Sequence, residues 1–246
     1  MLEKILELER TLFLQINNAH SPFADQFMWL YSGVSPWIPT VIGLVFVLFY
    51  TNRTRWKEIL LMVATIIFVI VLCDRFASGL CKPLFTRFRP THHPDFLNDV
   101  KTVFGYRGGR YGFISSHAAN GFGFAMVTSL IFKNKTYTVI LFLWATMSAY
   151  SRIYLGVHFI SDIIPGILTG IFFGWVGYCL FVQIYKKSFA NINQTTDYQL
   201  SFPVQAKRTA PNGLVPVLTL LLSTVVIMAI ISLLYACQLI PAIEFT

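Results

Sequence analysis

Glu58 to Cys81 reads EILLMVATIIFVIVLCDRFASGLC, with no charged side chain between Ile59 and Cys73. A bilayer's hydrocarbon core is roughly 30 Å thick, and a helix rising 1.5 Å per residue needs about 20 mostly apolar residues to cross it. No water is present there to satisfy a free N–H or C=O, so the segment is predicted to be helical throughout. Asp74 and Arg75 close the run. Charges at that depth are costly and point either to a mutual pair or to a polar cavity beside them.

The rest of the chain agrees with that reading. It is 246 residues long, 55% hydrophobic and 12% charged, whereas about a quarter of an ordinary soluble domain is charged. With a mean hydropathy of +0.62, a soluble globular, disordered or fibrous protein is excluded. The net charge of +8 is assigned to cytoplasmic loops and an anionic headgroup site, not to nucleic acid. Cys73, Cys81, Cys179 and Cys237 show no metal-ligand or redox spacing and read as small buried hydrophobes.

Further crossings are expected over Phe27–Tyr50, interrupted by Gly33 and Pro36, then from Ser115-Ser116 to Phe132, over Thr136–Leu155, over His158–Tyr185 and over Leu214–Leu239. At the N-terminus, Leu2, Ile5, Leu6, Leu12, Phe13 and Ile16 fall on one side of a helical wheel. Lys4, Glu7, Arg10, Gln15 and Asn17 fall on the other, while Glu9 and Leu14 break the pattern. Such a helix lies flat at a membrane surface. Its three glutamates, with no basic region followed by an apolar run, do not read as a cleavable signal peptide. The predicted fold is therefore all-α: one integral membrane bundle over 1–246, six transmembrane helices with an N-terminal interfacial helix. A polar linker covers 186–212 and the last crossing covers 214–239.

Alternating crossings put the loop-like stretch Lys82–Phe113 on the same face as Ser151–Asp162. The turns on the opposite face hold Arg53, Arg55, Lys57, Lys133, Lys135, Lys186, Lys187, Lys207 and Arg208, which makes that face cytoplasmic by the positive-inside rule. The chemical face has cations of its own, Lys82, Arg87, Arg89, Lys101, Arg107, Arg110 and Arg152, so the count alone does not decide. If several of them bind an anion instead of setting topology, this face looks outward, toward a periplasm or exterior. It carries Lys82, Arg89 and Arg152, and three cations in one place call for an anion. Arginine grips phosphate through paired N–H bonds and lysine acts as a point charge. The free N–H groups at Ser115, Ser116 and His117, where a helix starts, add a second anion seat.

His158 and Asp162 are four apart, the spacing that puts a carboxylate beside an imidazole on one helical face and makes the imidazole more nucleophilic. His117 stands at the proposed anion seat and is placed to protonate a leaving oxygen. Nucleophile, orienting acid, proton donor and cation clamp describe phosphoester hydrolysis without a metal or other cofactor. Taken singly, each has a plainer reading: a packing histidine, a helix cap, a snorkelling cation, or an Arg152–Asp162 pair. Their joint occurrence on one face favours chemistry. His92-His93, Lys101 and Arg107-Gly-Gly-Arg110 read first as structural, with headgroup contact as the rival.

These segments resemble the type-2 phosphatidic acid phosphatase superfamily of membrane lipid phosphatases. Lys82, Arg89 and Pro90 match its K-x6-R-P element, Ser115 and His117 match part of P-S-G-H, and Ser151, Arg152, His158 and Asp162 match S-R-x5-H-x3-D, all in the family's order. The resemblance implies that His158 attacks phosphorus to form a phosphohistidine, Asp162 orients it and His117 protonates the leaving group. Lys82, Arg89, Arg152, Ser115, Ser116 and backbone N–H groups hold the phosphoryl oxygens. Ile114 and Ser116 replace the family's proline and glycine, which bears on loop rigidity and substrate choice.

The implied partner is an anionic lipid in a bacterial inner membrane: undecaprenyl diphosphate, a lipid A phosphate, phosphatidylglycerophosphate or phosphatidic acid. The basic Tyr106–Tyr111 segment favours a bulky, multiply anionic headgroup. A non-catalytic phospholipid-binding or lipid-moving protein and an anion transporter are the alternatives. No oligomeric state is implied.

Overall fold

The computed structural model describes residues 2–51, 55–189 and 215–244. Among them the regular elements are helical: α1 (Leu2–Asn17), α2 (Pro22–Ser32), α3 (Ile38–Thr51), α4 (Trp56–Asp74), α5 (Lys82–Phe85), α6 (Ser116–Phe132), α7 (Lys135–Tyr154), α8 (Ile160–Phe189) and α9 (Val215–Ala236). The only extended pairing among them is a single antiparallel bridge, Phe88 with Tyr111. Three stretches are long and apolar enough to cross a membrane: Trp56–Phe85, Ile160–Phe189 and Val215–Ala236. The expected linker over 186–212 begins inside α8, and the remainder of it lies outside the described residues.

The first expected crossing is sharply bent. Gly33 ends α2, a 3₁₀ turn runs over Ser35–Trp37, and the axes on either side differ by 68°. Pro36 cannot donate the N–H that would continue the ladder. The stretch from Lys82 is not all loop: a π-helical turn over Arg75–Cys81 carries α4 on into α5, and Thr86, at φ 45°, ends it. One extra residue in the turn shifts the side-chain register just where the polar residues begin.

The central helix is α6, which packs against α4, α7 and α8. Its seam with α8 is built from small residues. A Cβ at Gly166 would lie 2.7 Å from the Ser115 carbonyl oxygen, one at Gly170 2.4 Å from that of Ala119, and one at Gly174 2.8 Å from that of Gly123. In lipid, helices are held together by close van der Waals packing, which such a stripe permits. It brings the start of α8 against the start of α6, and Ser115 N–H donates to the Asp162 carbonyl at 3.0 Å. Gly170→Val is expected to lower the thermal midpoint in detergent and to cost about 1–3 kcal/mol, as overpacking does. Gly79→Ala, where no atom lies within 4 Å of the new Cβ, should be silent in the same melt.

Asn17 corrects the expectation for α1. It was assigned to a polar, water-facing side, yet it is fully buried. Its amide donates to the carbonyls of Lys101 and Tyr154 at 3.0 and 2.9 Å and accepts from Lys101 N–H at 2.9 Å. A buried amide with its bonds made is stable inside, and here it ties α1 to the loop before the site. Ile5, Leu6, Leu8 and Leu12 remain exposed.

Candidate active site

Lys82, Arg89 and Arg152 arrive from three elements. Lys82 directly follows the π-helical segment, and its Nζ donates to Ser78 Oγ at 2.9 Å and Ser116 Oγ at 3.3 Å. Ser78 in turn donates to Asp74 Oδ1 at 3.2 Å. Asp74 therefore serves Lys82 through Ser78, and no ion pair with Arg75 forms among the described residues. A column of residues at i, i+4 and i+8 steers one ammonium toward the start of α6.

Arg89 and Arg152 are both buried. The Arg89 Nε donates to the Tyr111 carbonyl at 3.1 Å. Arg152 donates to Ser32 Oγ and, at 3.1 Å, to the Tyr106 hydroxyl, with its guanidinium 5.6 Å from the Tyr106 ring centroid. Neither forms an ion pair among the described residues, so Arg152 and Asp162 do not simply pair. Arg89 Nη1 and Arg152 Nε are buried with no hydrogen-bond partner among the described residues. Burial beside Arg152 pushes the Arg89 guanidinium down to about 10.

His158 is not on helix α8, contrary to the sequence expectation. Residues between α7 and α8 carry it, in a turn made by Gly156 at φ +77°. Asp162 lies in the first turn of α8, and its Oδ2 caps the helix by accepting Phe159 N–H at 3.0 Å. The same oxygen is 3.5 Å from His158 Nδ1. The pair thus meets through a helix cap and not through helical spacing. His158 is fully buried, and neither Nδ1 nor Nε2 has a hydrogen-bond partner among the described residues. Burial first, and then the charges of Arg89, Arg152 and Lys82, hold the imidazole well below its ordinary range. It stays neutral at pH 7 with a lone pair available for attack.

Ser115 is the N-cap of α6, its Oγ accepting Ala118 N–H at 3.4 Å. Ser116 therefore keeps its hydroxyl for Lys82. His117, half-buried in the first turn, lies in the electrostatic field of Arg152, His158, Arg89 and Lys82. The structure thus brings every residue of the predicted site to one place. His92 and Arg107 stand at its edge: burial and then Arg89, Arg107 and Arg110 hold His92 below its usual range.

Several residues of the site carried no readable signal. Gly108, at φ +65°, is required twice over, because a Cβ there would also lie 2.5 Å from Arg89 Nη1. A Cβ at Gly112 would press on Asp162 Oδ2 at 3.0 Å and Arg89 Cγ at 3.2 Å. Arg87, counted only as one more cation of this face, binds Asp162 Oδ1 at 2.7 Å. Among the described residues no three His, Cys, Asp or Glu side chains converge as metal ligands.

The arrangement sets unpaired arginine N–H groups around a buried imidazole. Buried N–H groups without partners are rare in folded proteins and costly. The oxygens of a phosphoryl group would satisfy those of Arg89 and Arg152 while bringing phosphorus to His158.

A model of the PAP2 superfamily matches residues 59–186. A lipid A 4′-phosphatase of Porphyromonas gingivalis is 47% identical over 187 residues, covering 76% of this chain and 78% of the relative. One from Bacteroides thetaiotaomicron is 35% identical over 179 residues, covering 72% and 79%. The crystal structure of Aquifex aeolicus LpxE superposes with a TM-score of 0.51 at 30% identity, over 68% of this chain and 92% of that one.

Proposed function

This chain belongs to the PAP2 superfamily and is a membrane lipid phosphatase of that type, and on that premise we propose that it removes the 4′-phosphate of a lipid A. The observation that carries the chemistry is the set of buried, unpartnered N–H groups of Arg89 and Arg152 beside the free Nε2 of His158. The two relatives named lipid A 4′-phosphatases support the substrate.

In the proposed reaction Nε2 of His158 forms a bond to phosphorus as the bond from phosphorus to the sugar oxygen breaks. His117 gives that oxygen a proton. Water then attacks the phosphohistidine, passes a proton to His117, and the N–P bond breaks to release inorganic phosphate. Lys82, Arg89, Arg152, Ser115, Ser116 and the first N–H groups of α6 hold the charge of the transferring group. Asp162 keeps the proton on Nδ1 so that Nε2 is the attacking atom. No divalent metal takes part.

The same reading places six crossings in the inner membrane: the bent α2–α3 pair, α4 with α5, α6, α7, α8 and α9, with α1 at the interface. Connectivity supports it. Helices α4 and α7 end at the site while α6 and α8 begin there, so Lys57, Lys133, Lys135, Lys186 and Lys187 all fall at the far end. By the positive-inside rule the site faces the periplasm.

The test is a panel in mixed micelles with chelator: bis-phosphorylated lipid A, undecaprenyl diphosphate, phosphatidylglycerophosphate and phosphatidic acid, read by phosphate release and product mass. Lipid A is expected to lead and to lose its 4′-phosphate. Equal or faster release from phosphatidic acid would overturn the substrate assignment.

Arg107 and Arg110 are exposed at the edge of the site, Arg110 standing 5.2 Å from the Phe88 ring centroid. They are placed to meet a second phosphate. Changing both to alanine is expected to lower kcat/KM for bis-phosphorylated lipid A about five- to tenfold, the size of two exposed charge contacts. Lipid A lacking its 1-phosphate should change less than twofold. An equal loss on both lipids would remove the second-phosphate role.

A further inference from the structure

Glu9 is the acidic residue that spoils the amphipathic pattern of α1, and its place in the fold explains why it is there. Its Oε2 accepts from Arg87 Nη2 at 2.9 Å and its Oε1 accepts from Ser161 N–H, at the start of α8, at 2.8 Å. Arg87 turns its other nitrogen, Nη1, to Asp162 Oδ1 at 2.7 Å and to Ser161 Oγ. Its guanidinium carbon stands 4.9 Å from the Phe159 ring centroid. Both oxygens of the Asp162 carboxylate are thereby assigned. Oδ1 belongs to Arg87, and Oδ2 belongs to Phe159 N–H and faces His158 Nδ1.

We propose that Glu9 and Arg87 are positioning residues for the phosphatase reaction, holding the Asp162 carboxylate so that Oδ2 faces the nucleophilic imidazole. A carboxylate rotates freely about its last torsion unless both oxygens are held. The cap at Phe159 holds one, and the charge-assisted bond from Arg87 holds the other. Arg87 is itself a long side chain, 29% exposed, which would sample other rotamers without a second anchor. Glu9 supplies that anchor from a helix far away in sequence, so docking of α1 and alignment of His158 become one event. The inference rests on the phosphatase reading and adds to it two residues outside the recognised motifs.

The test uses the full chain in micelles, with bis-phosphorylated lipid A and short-chain phosphatidic acid as parallel probes. Arg87→Met is expected to lower kcat about 10²-fold with KM within twofold, the cost of a reacting group misplaced by about an ångström. Arg87→Lys, which keeps the charge but not the fork, should recover about tenfold of that loss. Glu9→Gln should lower kcat about five- to tenfold. The double variant Glu9→Gln/Arg87→Met should be no slower than Arg87→Met alone, because one removes what the other supports.

If the two residues only dock α1, the melting temperature falls while kcat of the folded protein keeps its wild-type value. That result, or strictly additive losses in the double variant, overturns the proposal. Should Arg87→Met fail to fold, Glu9→Gln and Arg87→Lys decide it by the same kcat-against-KM comparison. Wild-type protein inert on both lipids would take down the functional reading and this inference together. Active wild type with unimpaired Glu9→Gln and Arg87→Lys sinks the inference alone.

Discussion

His158→Ala is expected to abolish turnover, lowering kcat by about 10⁴-fold or more, because in the proposed reaction it removes the atom that bonds to phosphorus. The geometry leaves no substitute. Both ring nitrogens of His158 are buried without a hydrogen-bond partner among the described residues, and Asp162 is engaged by Arg87 and by the cap at Phe159. Phosphate release measures the rate, and an alkaline quench after mixing with ³²P-labelled lipid measures the protein-bound phosphate. Wild type should trap label on His158, and the variant should trap none. A variant that still turned over at the wild-type rate would show that another group attacks phosphorus. The cavity left by the ring is a separate matter, and a melt in detergent separates loss of fold from loss of chemistry.

His117→Ala is the second large effect, and its size should depend on the leaving group. Proton donation contributes about 10²–10⁴-fold when the departing oxygen is basic. A sugar alkoxide is strongly basic, so lipid A hydrolysis should fall by about 10³-fold. Nitrophenolate leaves without a proton, so with p-nitrophenyl phosphate the same variant should lose less than about tenfold. A uniform loss on both substrates would mean that His117 binds the phosphoryl group instead of serving the leaving oxygen.

Much of the site could be read from the chain because its residues are of uncommon type for their surroundings. A lysine, two arginines and two histidines at the ends of apolar runs stand out against a composition that is only 12% charged. Cations in lipid need a counter-charge, so their number and order pointed to an anion. Asp74 was visible for the same reason, but its partner was not. A pair with Arg75 and a nearby polar cavity read equally well from the sequence, and the π-helical turn over Arg75–Cys81 settled it by setting Asp74, Ser78 and Lys82 in one column.

Other residues were hidden because their roles depend on who lies across from them. Glu9 looked like a flaw in an amphipathic helix and Asn17 like part of its wet side; both make their bonds to residues more than seventy positions away. Arg87 sits two residues before a motif arginine yet faces the opposite partner. Gly108 and Gly112 are ordinary loop glycines until Arg89 and Asp162 are seen against them. Spacing at i and i+4 anticipated that His158 and Asp162 meet, though the contact comes from a cap and a left-handed Gly156.

The sequence by itself determined that the chain is helical, lives in lipid and sets histidines and cations at the ends of its apolar runs. Hydrophobic runs and stranded charges are local facts that a bilayer makes decisive, since unpaired backbone and bare charge are both costly there. Only the tertiary structure decided which cations keep N–H groups unpaired and which are consumed holding other side chains in place. That division depends on the packing of α6 on α8 and of α1 on α7 and α8. Whether Arg87, Arg89 or Arg152 meets a carboxylate is a matter of distances between helices, and a charge does not announce its partner along the chain.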